Sequence, residues 1–224
     1  MTLNDYFDQI ICINLKRRPD RWKESQRQFS KHKIKVTRHE AVDGNPMGWK
    51  SHYFQGKQES FPGNMGCIAS HVAIYELAKK NGWKNVLIIE DDCDFIGNLN
   101  EIFEKSITTL PDDWDLLYFG GVHETRGGKF IPKKFNDYLV EAKRIITTTC
   151  YAVNHTAYDI ILDTILKDKP YFDCPIDTYL GAYIQPNIKT YAYHPPIAWQ
   201  RASHSDIQND YRDYSNMMKN NNIS

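Results

Sequence analysis

Short β-branched runs alternate along this chain with stretches whose apolar residues recur at helical spacing. Ile10 to Leu15 (IICINL) reads as a buried first strand. Asp20 to His32 follows as a helix, with Pro19 in its first turn, where a missing N–H costs nothing. Lys33 to His39 is predicted as a second strand, ending in the Ala41-Val42-Asp43-Gly44 turn. The polar, aromatic stretch from Pro46 to Pro62 reads as a long loop of the kind that often serves as a lid or binding loop. Asn64 to Lys80 carries an apolar face through Ile68, Val72, Leu77 and Ala78, and Asn81-Gly82 closes it as a helix C-cap.

Lys84 to Ile89 is the cleanest buried strand, and it runs straight into Glu90-Asp91-Asp92. A helix (Leu99 to Leu110), a strand (Asp115 to Phe119) and the Gly120-Gly121 turn come next. Thr125 to Asp137 is basic and Gly-rich, a mobile excursion in this reading. Then come a strand (Ile145 to Val153), helices over His155 to Leu166 and Pro175 to Tyr183, and a late strand (Ile188 to Tyr193). Strands alternating with helices predict an α/β sheet covered on both faces. The reading is one domain over 1–205 and a polar tail, 206–224, partly disordered.

With 28 basic and 28 acidic residues the formal charge is zero, so no electrostatic drive toward nucleic acid or anionic lipid exists. No apolar run approaches the roughly 20 residues that span a bilayer, and the first residues lack an apolar signal core. The five cysteines are odd in number, scattered and without zinc-type spacing. A reduced, cytoplasmic compartment is the simpler expectation: a bacterial cytosol, or a host cytoplasm or virion, since the Lys-, Asn- and Ile-rich composition fits an AT-rich bacterial or viral genome. Oligomeric state is left open by the sequence. The 14 Tyr, 10 Phe and 5 Trp would suit sugar stacking, although rings more often fill cores.

In open α/β sheets ligands bind at the carboxyl ends of strands, which is where Glu90-Asp91-Asp92 falls. Adjacent carboxylates repel unless something positive lies between them, and a hard divalent cation, Mg²⁺ or Mn²⁺, is the usual solution. On an extended chain Glu90 and Asp92 would point one way, joined by Asp94, and Asp91 the other. The plain alternative is that these acids cap the next element. Asn14 to Arg21, cationic at the end of the first strand, suits a nucleotide's base, ribose or phosphate, and a solvated basic turn explains it equally. Backbone N–H groups near Asn64-Met65-Gly66 offer an anion site. Ser70 and His71 add a hydroxyl and an imidazole, although a lone helical histidine is more often structural.

INLKRRPDRW (13–22), AVDG (41–44), GCIASHVAIYE (66–76), VLIIEDDCDF (86–95), WDLLYFGG (114–121), TTTCYAVNHTAYDIIL (147–162), PIDTYL (175–180) and PPIAWQRASHSDI (195–207) occur in a set order. In that order they resemble glycosyltransferase family 25, which includes bacterial lipooligosaccharide galactosyltransferases and collagen hydroxylysine galactosyltransferases. The resemblance covers nearly the whole chain. It implies a GT-A-type, Rossmann-like nucleotide-sugar-binding fold with a mixed, mostly parallel central sheet. It also implies a UDP-hexose donor, Mn²⁺ or Mg²⁺, inversion at the anomeric carbon, and a glycan or hydroxylysine-type protein acceptor.

Glu90 and Asp92 then match the metal motif, while Asn14, Arg18, Arg21 and Asp43 match signatures that would hold uridine and ribose. Ser70 and His71 match a Cys-x-x-Ser-His motif. Asp177 matches the family's acidic position and is the expected base, with a helix N-cap as the compatible alternative. A C-terminal loop closing over UDP would bring His204 as a third metal ligand and Arg201 to the diphosphate. Residues 48–62 and 125–137 follow no family pattern, so acceptor recognition is expected there. The competing readings are a non-catalytic nucleotide-sugar or glycan-binding domain and a UDP-sugar hydrolase.

Overall fold

The computed structural model describes residues 1–47, 52–54, 57–59, 61–125, 128–167, 174–207 and 210–220. The chain begins with α1 (Leu3–Tyr6), β1 (Gln9–Asn14), α2 (Pro19–His32) and β2 (Thr37–Glu40), then a short hairpin, β3 (His52–Phe54) and β4 (Lys57–Glu59). It continues through α3 (Phe61–Asn81), β5 (Asn85–Glu90), β6 (Cys93–Phe95), α4 (Leu99–Ile107), β7 (Leu116–Tyr118) and β8 (Val122–His123). Next are β9 (Lys133–Lys134), β10 (Leu139–Glu141), β11 (Ile145–Ile146), β12 (Cys150–Asn154), α5 (His155–Lys167) and α6 (Ile176–Tyr179). The last elements are β13 (Thr190–Tyr193), β14 (Ala198–Gln200), β15 (Ser203–Ser205), β16 (Asp210–Arg212) and α7 (Ser215–Lys219).

An eight-stranded mixed sheet, ordered β2-β1-β5-β12-β7-β13-β10-β9, forms the centre, with β12 and β10 antiparallel to the other strands. Alternation along the strands decides which layer each residue meets. Ile11, Ile13, Val86 and Ile88 face α3 and α5 through Ile74, Tyr75, Ala157 and Ile161. Ile10, Cys12, Leu87 and Ile89 face α2 and α4 through Phe29, Leu99 and Phe103. Both faces are therefore covered, as expected. Among the described residues no helix is long and apolar enough to cross a membrane.

Parallel pairing of β1 with β5 sets Ile13 against Glu90, so the carboxyl ends of these two strands finish level. The chain leaves β1 into α2 on one face and enters β5 from α3 on the other, which opens a crevice at that point. The turn after β2 closes the crevice through backbone contact. A Cβ at Gly66 would lie 2.4 Å from the Val42 carbonyl oxygen, and one at Gly44 would lie 1.7 Å from that of Pro62. Gly66→Ala is expected to lower stability by about 1–3 kcal/mol, visible as a lower urea midpoint with an unchanged slope; an unchanged midpoint would show that the turn is not held this closely.

Several boundaries differ from the sequence reading, each for a local reason. Lys33 ends α2 with φ 56°, a left-handed cap, so the second strand starts only at Thr37. The strand expected over 145–153 is split, because Thr147 adopts φ 75° between β11 and β12. The helix expected over 175–183 is α6 followed by a π turn, Leu180–Ile184. The loop expected over 46–62 holds a 3-10 turn (Asn45–Met47) and the β3–β4 hairpin, its other residues lying outside the described ones. Within 125–137, β9 pairs with β10 at the sheet edge. The chain after Asp206 carries β16 and α7, with Met218 fully buried.

Candidate functional site

Two adjoining cavities open at the carboxyl ends of β1 and β5. The first, about 150 Å³, is lined by Arg17, Arg21, Asp43, His71, Glu90 and Asp92 among others. The second, about 400 Å³, is lined by Thr147, Thr148, Thr149, Asp177, Tyr214 and Met217 among others. Glu90, Cys67, Gln200, Ser205 and Ile207 border both. Glu90 therefore faces two compartments at once.

The chain turns at Asp91 and Asp92 instead of staying extended, so strand alternation does not govern these carboxylates. The guanidinium of Arg21 reaches both, at 2.8 Å from Asp91 Oδ1 and 3.3 Å from Asp92 Oδ2. Asn14, level with Asp91, donates to its Oδ2 at 2.5 Å, and Gln200 donates to Asp92 Oδ2 at 3.1 Å. Asp94 lies beyond the turn on β6 and takes Arg201 Nε at 2.9 Å. Part of the positive charge that this acidic run demands is thus built into the protein. Asp92 Oδ1, however, is buried with no hydrogen-bond partner among the described residues. Burial, with Glu90 and Asp91 nearby, raises the Asp92 carboxyl to about 7 against the pull of Arg21.

Glu90 behaves differently. Burial works to raise its carboxyl, but His71 and the Thr148 hydroxyl, which donates at 2.6 Å, outweigh that and hold it below its ordinary value. His71 Nε2 lies 3.5 Å from Glu90 Oε1, and its Nδ1 lies 2.7 Å from the Tyr151 hydroxyl.

In the second cavity Asp177 accepts the N–H of Thr147 at 3.0 Å and that of Thr178 at 2.6 Å. Desolvation raises its carboxyl although both N–H groups oppose the shift. A β-branched residue at positive φ is strained by about 1–3 kcal/mol, and Asp177 is what fastens Thr147 in that state.

The chain matches the model of "Glycosyltransferase family 25 (LPS biosynthesis protein)" over residues 7–179. It belongs to glycosyltransferase family 25. Procollagen galactosyltransferase 2 of Mus musculus is 29% identical to this family 25 chain over 165 residues, covering 66% of it and 26% of the relative. Inactive glycosyltransferase 25 family member 3 of Homo sapiens is 29% identical over 129 residues, covering 51% and 23%. The chain thus spans about a quarter of the length of these curated relatives. A solved glycosyltransferase involved in glycosylation of the major capsid of PBCV-1 is similar with a TM-score of 0.47 and 12% identity, over 82% of this chain and 79% of that one.

Of the residues singled out from sequence in this family 25 chain, Arg21, Asp43, Ser70, His71, Glu90 and Asp92 meet at the first cavity, and Asp177 lines the second. Asn14, Arg18, Arg201 and His204 line neither. Asn14 is spent on the Arg18 carbonyl, Asp91 and Arg38, so its amide positions other groups. Arg18 pairs with Asp20 and Asp206. Ser70 accepts the Val42 N–H and donates to the Gly66 carbonyl, tying the turn at 41–44 to α3. The His204 side chain is exposed, and only its backbone carbonyl joins the site, through Arg21.

Sequence reasoning missed Arg17, which clamps Asp43 and Asp206, and also Gln200, Thr148 and Tyr151. These are distant in sequence from the acidic run, and no local pattern marks them. Arg17, Thr148, Tyr151 and Gln200 all stood within segments already singled out, but not as residues of the site.

Proposed function

We propose that this family 25 chain moves a hexose, galactose or glucose, from UDP-hexose to a hydroxyl of a glycan or a hydroxylysine-type protein acceptor. The observation that carries the reading is the meeting of the two cavities at Glu90, one bearing cationic and amide groups for a nucleotide, the other the desolvated carboxylate of Asp177. Arg17, Arg21 and Asp43 suit the donor's diphosphate and ribose. The threonines and Asp177 suit an acceptor hydroxyl. Asp177 takes the proton from that hydroxyl as its oxygen attacks the anomeric carbon opposite the departing UDP, which inverts the centre.

Glu90 and Asp92 fit a hard divalent cation, Mn²⁺ or Mg²⁺, because both carboxylates border one cavity and Asp92 Oδ1 is a buried acceptor with no partner among the described residues. When bound, the ion would supply neutralisation of charge growing on the diphosphate. The side chain of His204 is not part of this set.

The test is UDP release from a panel of UDP-sugars, with and without Mn²⁺ and with and without saccharide or hydroxylysine-peptide acceptors. Acceptor-stimulated turnover of one UDP-hexose supports transfer. Equal turnover without any acceptor would mean hydrolysis. UDP binding without turnover would favour a binding module, a reading encouraged by the relative named inactive and by the charge that Arg21 already supplies.

Asp177→Asn is expected to lower kcat by about 10²-fold with little change in KM, since Asn Oδ1 can keep a backbone N–H. In the wild type, kcat/KM should fall as pH drops through the raised Asp177 value, because the protonated acid cannot accept a proton. Pro175, not Asp177, is the N-cap of α6, so a flat acid limb, or an Asn variant of full activity, would reduce Asp177 to the group that fastens Thr147.

A further inference from the structure

Cys67 and His71 stand one turn apart on α3, at i and i+4, and so share a face. Glu90, ending β5, meets that face. One ligand atom from each of the three side chains lies within 4.8 Å of the other two. The 3.5 Å from His71 Nε2 to Glu90 Oε1 is close to the roughly 3.3 Å edge of a tetrahedron built on zinc–ligand bonds of about 2.0 Å.

The imidazole is also held from behind. Tyr151 OH engages Nδ1 at 2.7 Å, and Tyr75 OH engages Tyr151 OH in turn, so Nε2 is turned toward Glu90 and the ring cannot swing. Such outer-shell partners are what orient a metal-ligating histidine. Cys67 borders both cavities, which gives a small cation a path in and leaves space for a further ligand. His71 and Tyr151 are almost wholly buried, so the assembly is preformed rather than a surface coincidence.

We propose that Cys67, His71 and Glu90 form a three-ligand site for a thiophilic divalent cation of the zinc type, with its fourth position open to the cavities. The donor set makes the choice: thiolate and imidazole favour Zn²⁺ and Co²⁺, whereas Mg²⁺ and Mn²⁺ prefer oxygen ligands. On binding, a Cys67 S–H bond is replaced by a sulfur–metal bond and the proton passes to solvent. The site shares Glu90 with the oxygen-ligand pair Glu90 and Asp92, so occupancy by zinc withdraws that carboxylate and opposes Mn²⁺. The geometry stands on its own, whether or not the chain transfers a sugar.

Cobalt is the probe, added to the full metal-free chain. The expected result is a near-ultraviolet sulfur-to-cobalt charge-transfer band with visible bands of tetrahedral intensity, all displaced by one equivalent of Zn²⁺. Cys67→Ser should lose the charge-transfer band and weaken Zn²⁺ by more than the 10–100-fold that loss of an outer-shell partner costs. No such band in the wild type, or a band kept in Cys67→Ser, overturns the proposal. A second measurement needs no variant: alkylation of Cys67, mapped by mass spectrometry, should slow at least tenfold with Zn²⁺ and not with Mn²⁺. Equal labelling in the presence and absence of Zn²⁺ also overturns it.

Discussion

Asp92→Asn should reduce metal-dependent UDP release by about 10³-fold, equivalent to about 4 kcal/mol of lost transition-state stabilisation, while making the metal-free protein more stable at pH 8. The two effects share a cause. The Asp92 carboxyl is buried beside Glu90 and Asp91, and its folded-state value of about 7 lies above the ordinary carboxylate value of 3.8. Between those values the folded chain holds a proton that the unfolded chain has released, so stability is greatest below about 3.8 and falls as pH rises through about 7. Asn at this position carries no charge to bury and escapes that loss. A divalent cation would restore the wild type by binding the folded state alone, and would leave the variant unmoved. Thermal melts at pH 6 and pH 8, with and without Mn²⁺, check each part. A variant that melts below the wild type at pH 8 without metal would sink the electrostatic account.

Arg21→Ala is expected to cost about 3–5 kcal/mol, because it strands buried carboxylates without their counter-charge. Side-chain exposures of 13% for Arg21, 9% for Asp91 and 6% for Asp92 place this pairing inside the protein, where solvent screens little. The same guanidinium donates to Ser203 Oγ at 2.7 Å and to the His204 carbonyl at 2.9 Å, so the variant also loosens the C-terminal segment from the crevice. Urea unfolding would read the cost, and the double variant Arg21→Ala/Asp92→Asn should recover about 0.5–3 kcal/mol of it. Strict additivity of the two substitutions would mean that Arg21 and Asp92 do not act on each other.

The layers of this fold were legible because they depend on local pattern. Ile10 to Leu15 and Val86 to Ile89 are apolar on both sides of the strand, and only a sheet covered on both faces accepts that. The acidic end of β5 was legible for the same reason, as charge arriving abruptly after a buried run. What the sequence could not display is which groups meet across long separations. Arg21 joins Asp91 and Asp92 across the β1–β5 crevice, and Gln200 and Asp206 return from near the far end of the chain. The extended-strand argument for Asp94 failed because a turn intervenes at Asp91-Asp92. The single strand read over 145–153 failed because Thr147 takes a backbone conformation that its own side chain disfavours, fastened by Asp177 thirty residues later.

The walls of the second cavity are hung very differently. Thr148 and Thr149 run into β12, whose residues are all buried between β5 and β7. Tyr214 and Met217 belong to the segment at α7, a five-residue helix anchored by the buried Met218 and by Lys219 lying 4.1 Å over the Trp199 ring. A helix of that length has no stability of its own. Amide hydrogens of β5 and β12 should therefore exchange with solvent deuterium only when the whole protein unfolds, while those of α7 exchange through small local openings many orders of magnitude more often. Any ligand that fills the cavity and touches both walls would slow exchange in α7 at times when the strands have not yet begun to exchange, so deuterium uptake at one short helix becomes a direct gauge of occupancy.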